Sequence, residues 1–137
     1  MDPKLWNLLH DGILEDVEGS VPGDVRLAVS IRYLRQRFPG EGTGFVIVLR
    51  RCTQFSYTPY DGPPITELVP IVAQNPEILI ANPGDPLEIA CVMGTLFLRY
   101  ASAQVELDTG GQVQVEALDA TSKAYWRDWS DRTRSAP

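Results

Sequence analysis

His10, Cys52 and Cys91 are the residues of this chain best suited to nucleophilic or metal chemistry, and the inventory ends there, with one histidine and two cysteines. A catalytic zinc takes two or three nitrogen or sulfur ligands from the protein. His10-Asp11 has the form of a metal-ligand pair from a phosphohydrolase, but such sites need further histidines and this chain has none. No Gly-x-Ser-x-Gly elbow supports a triad with His10 as base. His10 therefore reads as a turn histidine beside Gly12. The run Gly40-Glu41-Gly42-Thr43-Gly44 invites comparison with a phosphate loop. It lacks the Gly-Lys-Ser/Thr ending, and the residues after it, Phe45-Val46-Ile47-Val48-Leu49, read as a strand with no helix N-terminus to face an anion. Two carboxylates about 5 Å apart, or about 6.5–9.5 Å apart, can hydrolyse a glycoside. Asp16 and Glu18 share one strand face, as do Glu106 and Asp108, but nothing places the pairs opposite each other, and solvated strand faces account for both. The expectation is a protein that is not an enzyme, with no catalytic residue, no cofactor and no metal site.

Binding chemistry is better represented. The 137 residues carry 18 acids against 12 lysines and arginines, a net charge of −6, with 44% hydrophobic and 22% charged residues. That balance is ordinary for a soluble fold and argues against a general nucleic-acid binder, whose footprint is basic. The charges are unevenly placed. Residues 1–24 hold six acids and one base, residues 25–58 six arginines and one acid, residues 59–122 nine acids and one base, and residues 123–137 four bases and two acids. Arg26 and Arg32 fall on one face of a predicted strand, with Arg50 on a neighbouring strand. They either form a face for a carboxylate, a phosphate or an acidic partner, or pair with the protein's own acids across strands. Tyr57 and Tyr60 sit in the segment Tyr57–Pro64, which is either a recognition loop or a crossover between sheet halves. Tyr125 and Trp129 are four residues apart and share a helix face, with Trp126 beside them. They either dock the helix on a sheet or anchor a protein partner. Arg26, Arg32, Arg50, Tyr57, Tyr60, Trp126 and Trp129 are thus the candidate contacts.

The elements that must position them are mostly strands. Asp11-Gly12 predicts a turn, and Ile13–Glu18 a short strand closed by Gly19 and Pro22-Gly23. Val25, Leu27, Val29, Ile31 and Tyr33 alternate with polar or small residues, the period of a half-buried strand. The parity slips at Leu34 and Phe38, so the strand is expected to end or bulge near Tyr33-Leu34. Pro39–Gly44 is a turn, and Phe45–Cys52 a strand buried on both faces. Seven of the eleven prolines lie between Tyr57 and Leu87, which predicts connection with one short helix around Ile65–Ala73 and Pro70 in its first turn or kinking it. Leu87–Met93 and Thr95–Tyr100 read as a hairpin turned at Met93-Gly94, extended by Gln104–Leu107. Asp108–Gly111 is a turn. A final helix is expected with Asp119 or Thr121 as its cap. The whole predicts an α+β fold. It is mainly antiparallel β, a sandwich or partly open barrel of about six to eight strands, with a C-terminal helix packed on it. One domain is expected over residues 1–132, with a frayed tail at 133–137.

Leu9-His10-Asp11-Gly12, Pro22-Gly23-Asp24-Val25, Tyr33-Leu34-Arg35, Leu107-Asp108-Thr109-Gly110 and Ser122-Lys123-Ala124-Tyr125-Trp126 with Trp129 together resemble a loose group of small bacterial proteins of unassigned function. The chain also resembles, in size and charge balance, immunity proteins that neutralise bacterial toxins. Neither likeness brings a catalytic residue with it. No secretory signal or apolar span is seen, and the two cysteines read as buried free thiols. The expectation is a cytoplasmic protein that binds another protein, a basic one by charge, or pairs with its own copy, and that engages neither nucleic acid nor membrane. The competing expectation is a barrel or sandwich that binds a small anionic ligand through its arginines.

Overall fold

Alternation and turn chemistry dictate most of the elements. The structure, a computed structural model, describes residues 1–135, with side chains through Arg132. The order is α1 (Lys4–Leu8), β1 (Ile13–Gly19), β2 (Gly23–Ser30), α2 (Arg32–Arg35), β3 (Gly44–Cys52), β4 (Gln54–Pro59), α3 (Leu68–Ala73), β5 (Ile78–Asn82), β6 (Leu87–Cys91), β7 (Gly94–Arg99), β8 (Ser102–Leu107), β9 (Gln112–Val113) and α4 (Val115–Ser135). Nine strands form two antiparallel sheets, ordered β1-β2-β3-β8-β9 and β4-β7-β6-β5, not closed into a barrel. Val25, Leu27 and Val29 of β2, Phe45, Ile47 and Leu49 of β3, and Leu87, Ile89, Leu96 and Leu98 of the second sheet share one buried cluster. The α+β, antiparallel expectation holds.

The sheets are joined by one bent ribbon. β3 pairs with β8 and β4 pairs with β7, with Arg50 opposite Ser102 on one side of the corner and Gln54 opposite Arg99 on the other. Each strand of the ribbon thus leaves one sheet and enters the other, the usual way a corner is made. Arg51 takes a left-handed φ of 51° at the bend. The amide of Thr53 donates to the Arg99 carbonyl at 2.8 Å and that of Ala101 to the Arg50 carbonyl at 2.9 Å, which satisfies the backbone where the ladders break. Gln104–Leu107 accordingly belongs to β8 in the first sheet and does not extend the Thr95–Tyr100 strand. Two further strands, β4 and β5, lie in or beside the proline-rich stretch that reads as connection.

The parity slip after Ser30 has a different cause from a bulge. The chain leaves β2 and makes one helical turn, α2, so that Ile31, Leu34 and Arg35 share a buried face at helical spacing. Ile31 and Tyr33 therefore do not continue the strand. Arg35 is fully buried, and its five N–H donors find five acceptors. Nε donates to Asp108 Oδ1 at 2.9 Å, Nη1 to the carbonyls of Phe38 and Pro39 at 3.3 and 3.0 Å, and Nη2 to Thr109 Oγ1 and the Glu41 carbonyl at 3.1 and 3.5 Å. Asp108 Oδ2 accepts the Thr43 and Gly44 amides at 2.8 and 3.1 Å. A Cβ on Gly42 would lie 2.2 Å from Asp108 Oδ1, so the pair sets the glycine there. The glycine run is thus a loop wrapped on an ion pair, with the Thr43 and Gly44 amides turned to Asp108.

The last helix begins earlier than the caps suggest. The Leu118 amide already bonds to the Gln114 carbonyl at 3.1 Å. Asp119 and Thr121 lie inside α4 and do not cap it, and Asp119 instead meets Lys4 of α1 at 3.2 Å. The α4 backbone continues through Ser135. Ala136 and Pro137, the end of the tail expected to fray, lie outside the described residues.

Burial pushes the Asp108 carboxyl up, but the Arg35 hydrogen bond and the two amides outweigh it, and the carboxyl sits below its ordinary range. Its contribution to stability is complete above the ordinary carboxylate range and is lost as pH falls through the lower folded value. Asp108→Asn strands the Arg35 charge and is expected to cost about 3 kcal/mol at neutral pH. Urea midpoints of the two proteins should separate at pH 7 and converge below about pH 4, as the native carboxyl takes up its proton.

Candidate functional site

The candidate residues separate into three places. Arg26 and Arg50 lie on the outer, solvent face of the first sheet. Register puts Arg26 opposite both Glu18 and Val48, and its guanidinium reaches diagonally to Glu106 at 3.2 Å. Arg50 Nη1 meets Asp24 Oδ2 at 2.9 Å and Nη2 meets Gln104 at 3.3 Å. The Arg51 amide and the Arg50 side chain hold the Asp24 carboxyl below its ordinary range. These two arginines are spent on the protein's own acids. They line an open concavity of about 240 Å³ with Glu18, Gly19, Asp24 and Val48. Arg32 is not part of it. It opens α2, so the predicted shared face of Arg26 and Arg32 does not form.

Tyr57 and Tyr60 also part company. Tyr57 is in the core at 1% exposure, while Tyr60 is 71% exposed just past the end of β4, its hydroxyl donating to the Cys91 carbonyl at 3.4 Å. Tyr57 is thus a core residue, although it reaches the wall of a concavity of about 160 Å³ with Ile13, Asn75 and Met93. The β4 strand that carries it is the reason: odd positions Phe55 and Tyr57 face inward.

Trp126 and Trp129 occupy the third place. They are 42% and 49% exposed on the second half of α4. Four rings touch in sequence there. Tyr33 of α2 and Tyr125 have centroids 4.6 Å apart, Tyr125 and Trp126 5.0 Å, and Trp126 and Trp129 6.2 Å, the last two pairs edge to face. Arg37 closes over Tyr125, its Cζ 5.3 Å from the ring centroid, and its Nη1 meets Asp128 Oδ2 at 2.8 Å. The Tyr33 hydroxyl donates to the His10 carbonyl at 2.8 Å, and burial, with Asp11 nearby, pushes its pKa up to about 12. Contacts between aromatics are favourable beyond area burial, and here they fix ring orientations without covering the outer rings. Arg37 and Tyr33 join this group because α2 is a helical turn, whereas strand alternation places Tyr33 on a strand face.

His10 and the cysteines lie outside these candidate contacts. His10 Nδ1 lies 2.6 Å from the Leu79 carbonyl and Nε2 lies 3.3 Å from Asp11. Asn7 bonds the Ala81 amide and carbonyl at 2.8 and 3.1 Å. Together they cover the free edge of β5, which an uncovered sheet would offer to other chains. Burial pushes the Cys91 thiol up to about 12 and raises the Cys52 thiol. No group of His, Cys, Asp and Glu suited to a metal occurs among the described residues, and no helix there is long and apolar enough to cross a membrane.

No family model, curated protein or solved structure matches the chain.

Arg26→Ala and Arg50→Ala are each expected to shift stability by less than about 1 kcal/mol, as exposed pairs do, read as small changes in urea midpoint. Cys52 and Cys91 should be silent to a thiol reagent in the native protein and should both react once it is unfolded in urea.

Proposed function

We propose that this protein is a non-catalytic protein-binding module, working in the cytoplasm, whose docking surface is the aromatic end of α4. One observation carries the reading. A single stripe of α4 runs from Leu118, fully buried, through Ser122 at 8% exposure and the half-buried Tyr125 to Trp129 at 49%. The face that seats the first half of the helix on the domain thus continues past the domain's edge with its largest side chains in water. Tryptophan and tyrosine dominate the energetics of protein interfaces. Rings held by one another and by Arg37 lose little freedom when a partner covers them. The alternative, an anionic ligand held by the sheet arginines, draws no support from Arg26 and Arg50, whose guanidinium groups already face Glu106 and Asp24.

The test compares the native chain with the Trp126→Ala/Trp129→Ala double variant, each purified from the native host at low salt. The native chain should retain a protein in fixed ratio and the double variant should lose it. The urea midpoint of the double variant should stay within about 1 kcal/mol of the native value, because neither ring lies in the core. A native chain that emerges alone, or a partner retained equally by both, would overturn the reading.

A further inference from the structure

The overall charge of −6 points toward a basic partner, but the charges around the aromatic end run the other way. Resting on the docking surface proposed above, we infer that the partner segment seated there is acidic, with carboxylates meeting Arg32 while its apolar side chains cover Trp126 and Trp129.

The α2 region and the described part of α4 from Ser122 onward carry Arg32, Arg37, Lys123, Arg127 and Arg132 against Asp128 and Asp131. Two of these cations are already paired, Arg37 with Asp128 and Lys123 with Asp119, which leaves a small local excess in an acidic chain. Arg37 is fixed at the centre of the patch, over Tyr125 and against Asp128. Its charge, like those of Arg26 and Arg50, is met within the chain, so Arg32 carries the preference. Arg32 precedes Tyr33, whose ring packs against both Tyr125 and Trp126. It is exposed, and its guanidinium has no ion pair among the described residues. Of the nearby acids, Asp128 is engaged by Arg37. Exposed aromatic faces flanked by cations suit a segment that alternates apolar and acidic side chains.

Nucleic acid would also offer negative charge and stacking bases. A phosphate backbone carries charge at every step and gains from a continuous basic track. Here Asp128 and Asp131 interrupt the cations of α4, and Asp11 lies near Tyr33. A peptide bearing two or three carboxylates needs only the local cations, so the protein partner is the better match.

The test follows tryptophan emission during titration with three probes at low salt. These are a helical peptide of leucine and glutamate, the same peptide with lysine for glutamate, and a single-stranded thymidine oligonucleotide. Trp6 is fully buried, so changes report Trp126 and Trp129. The glutamate peptide should bind roughly tenfold more tightly than the lysine peptide, and Arg32→Glu should remove roughly that factor. Added salt should weaken the binding. Equal binding of both peptides, dependent on the two tryptophans, would leave the docking surface standing and overturn its acidic preference. Binding of the oligonucleotide alone, no response to any probe, or a dimer of the chain in sedimentation that shields the tryptophans would each overturn the inference. Loss of tryptophan-dependent partner retention in the host would instead count against the docking surface itself.

Discussion

Arg35 is the one charged side chain that the fold takes wholly out of water among the described residues, and the loop from Phe38 to Gly44 is shaped around it. A buried guanidinium is tolerable only when its donors are met and its charge opposed. Asp108 supplies the charge, and Thr109 and three backbone carbonyls supply the remaining acceptors. The price falls on the backbone, since Gly42 has no room for a side chain. The pair ties the start of β3 to the turn between β8 and β9, and through α2 it fixes where Tyr33 and Arg37 stand. The aromatic end of α4 is assembled on that fixed corner.

The bent ribbon provides the other half of the frame. Because β3–β4 and β7–β8 run through both sheets, one hydrogen-bonded pair of strands sets their relative placement. α1 then covers the β5 edge with Asn7 and His10, and Lys4 holds Asp119 on the first half of α4. The helix is gripped near its beginning by α1 and, further along, by Arg37 and Tyr33. Trp129 lies beyond both grips, which is why its ring remains half in water.

Much of this was legible along the chain. The period of two in Val25–Ser30, the continuous apolar run of β3 and the glycine turns gave the strands and the antiparallel class. Pro70 sits in the first turn of α3, where its missing donor costs nothing. The slip at Leu34 was visible too, but a bulge and a single helical turn produce the same slip. Only the spacing of Ile31, Leu34 and Phe38 hinted at the turn. β4 and β5 were hidden by prolines that border them and, in β5, by a bulge between Ile78 and Ile80.

The sequence by itself determined which residues face inward along β2 and the hairpin of β6 and β7, that metal-ligand and nucleophile chemistry is poorly provisioned, and that charge is unevenly spread. Side-chain period and composition are local properties, and a chain displays them without folding. Only the tertiary structure decided which acid each arginine meets. Arg26, Arg32, Arg35, Arg37 and Arg50 look alike in the sequence, yet two are spent across strands, one is buried, one braces an aromatic ring and one is left open. Those outcomes depend on strand order and register, which bring residues such as Arg35 and Asp108 together across more than half the chain, and no local pattern encodes such a pairing.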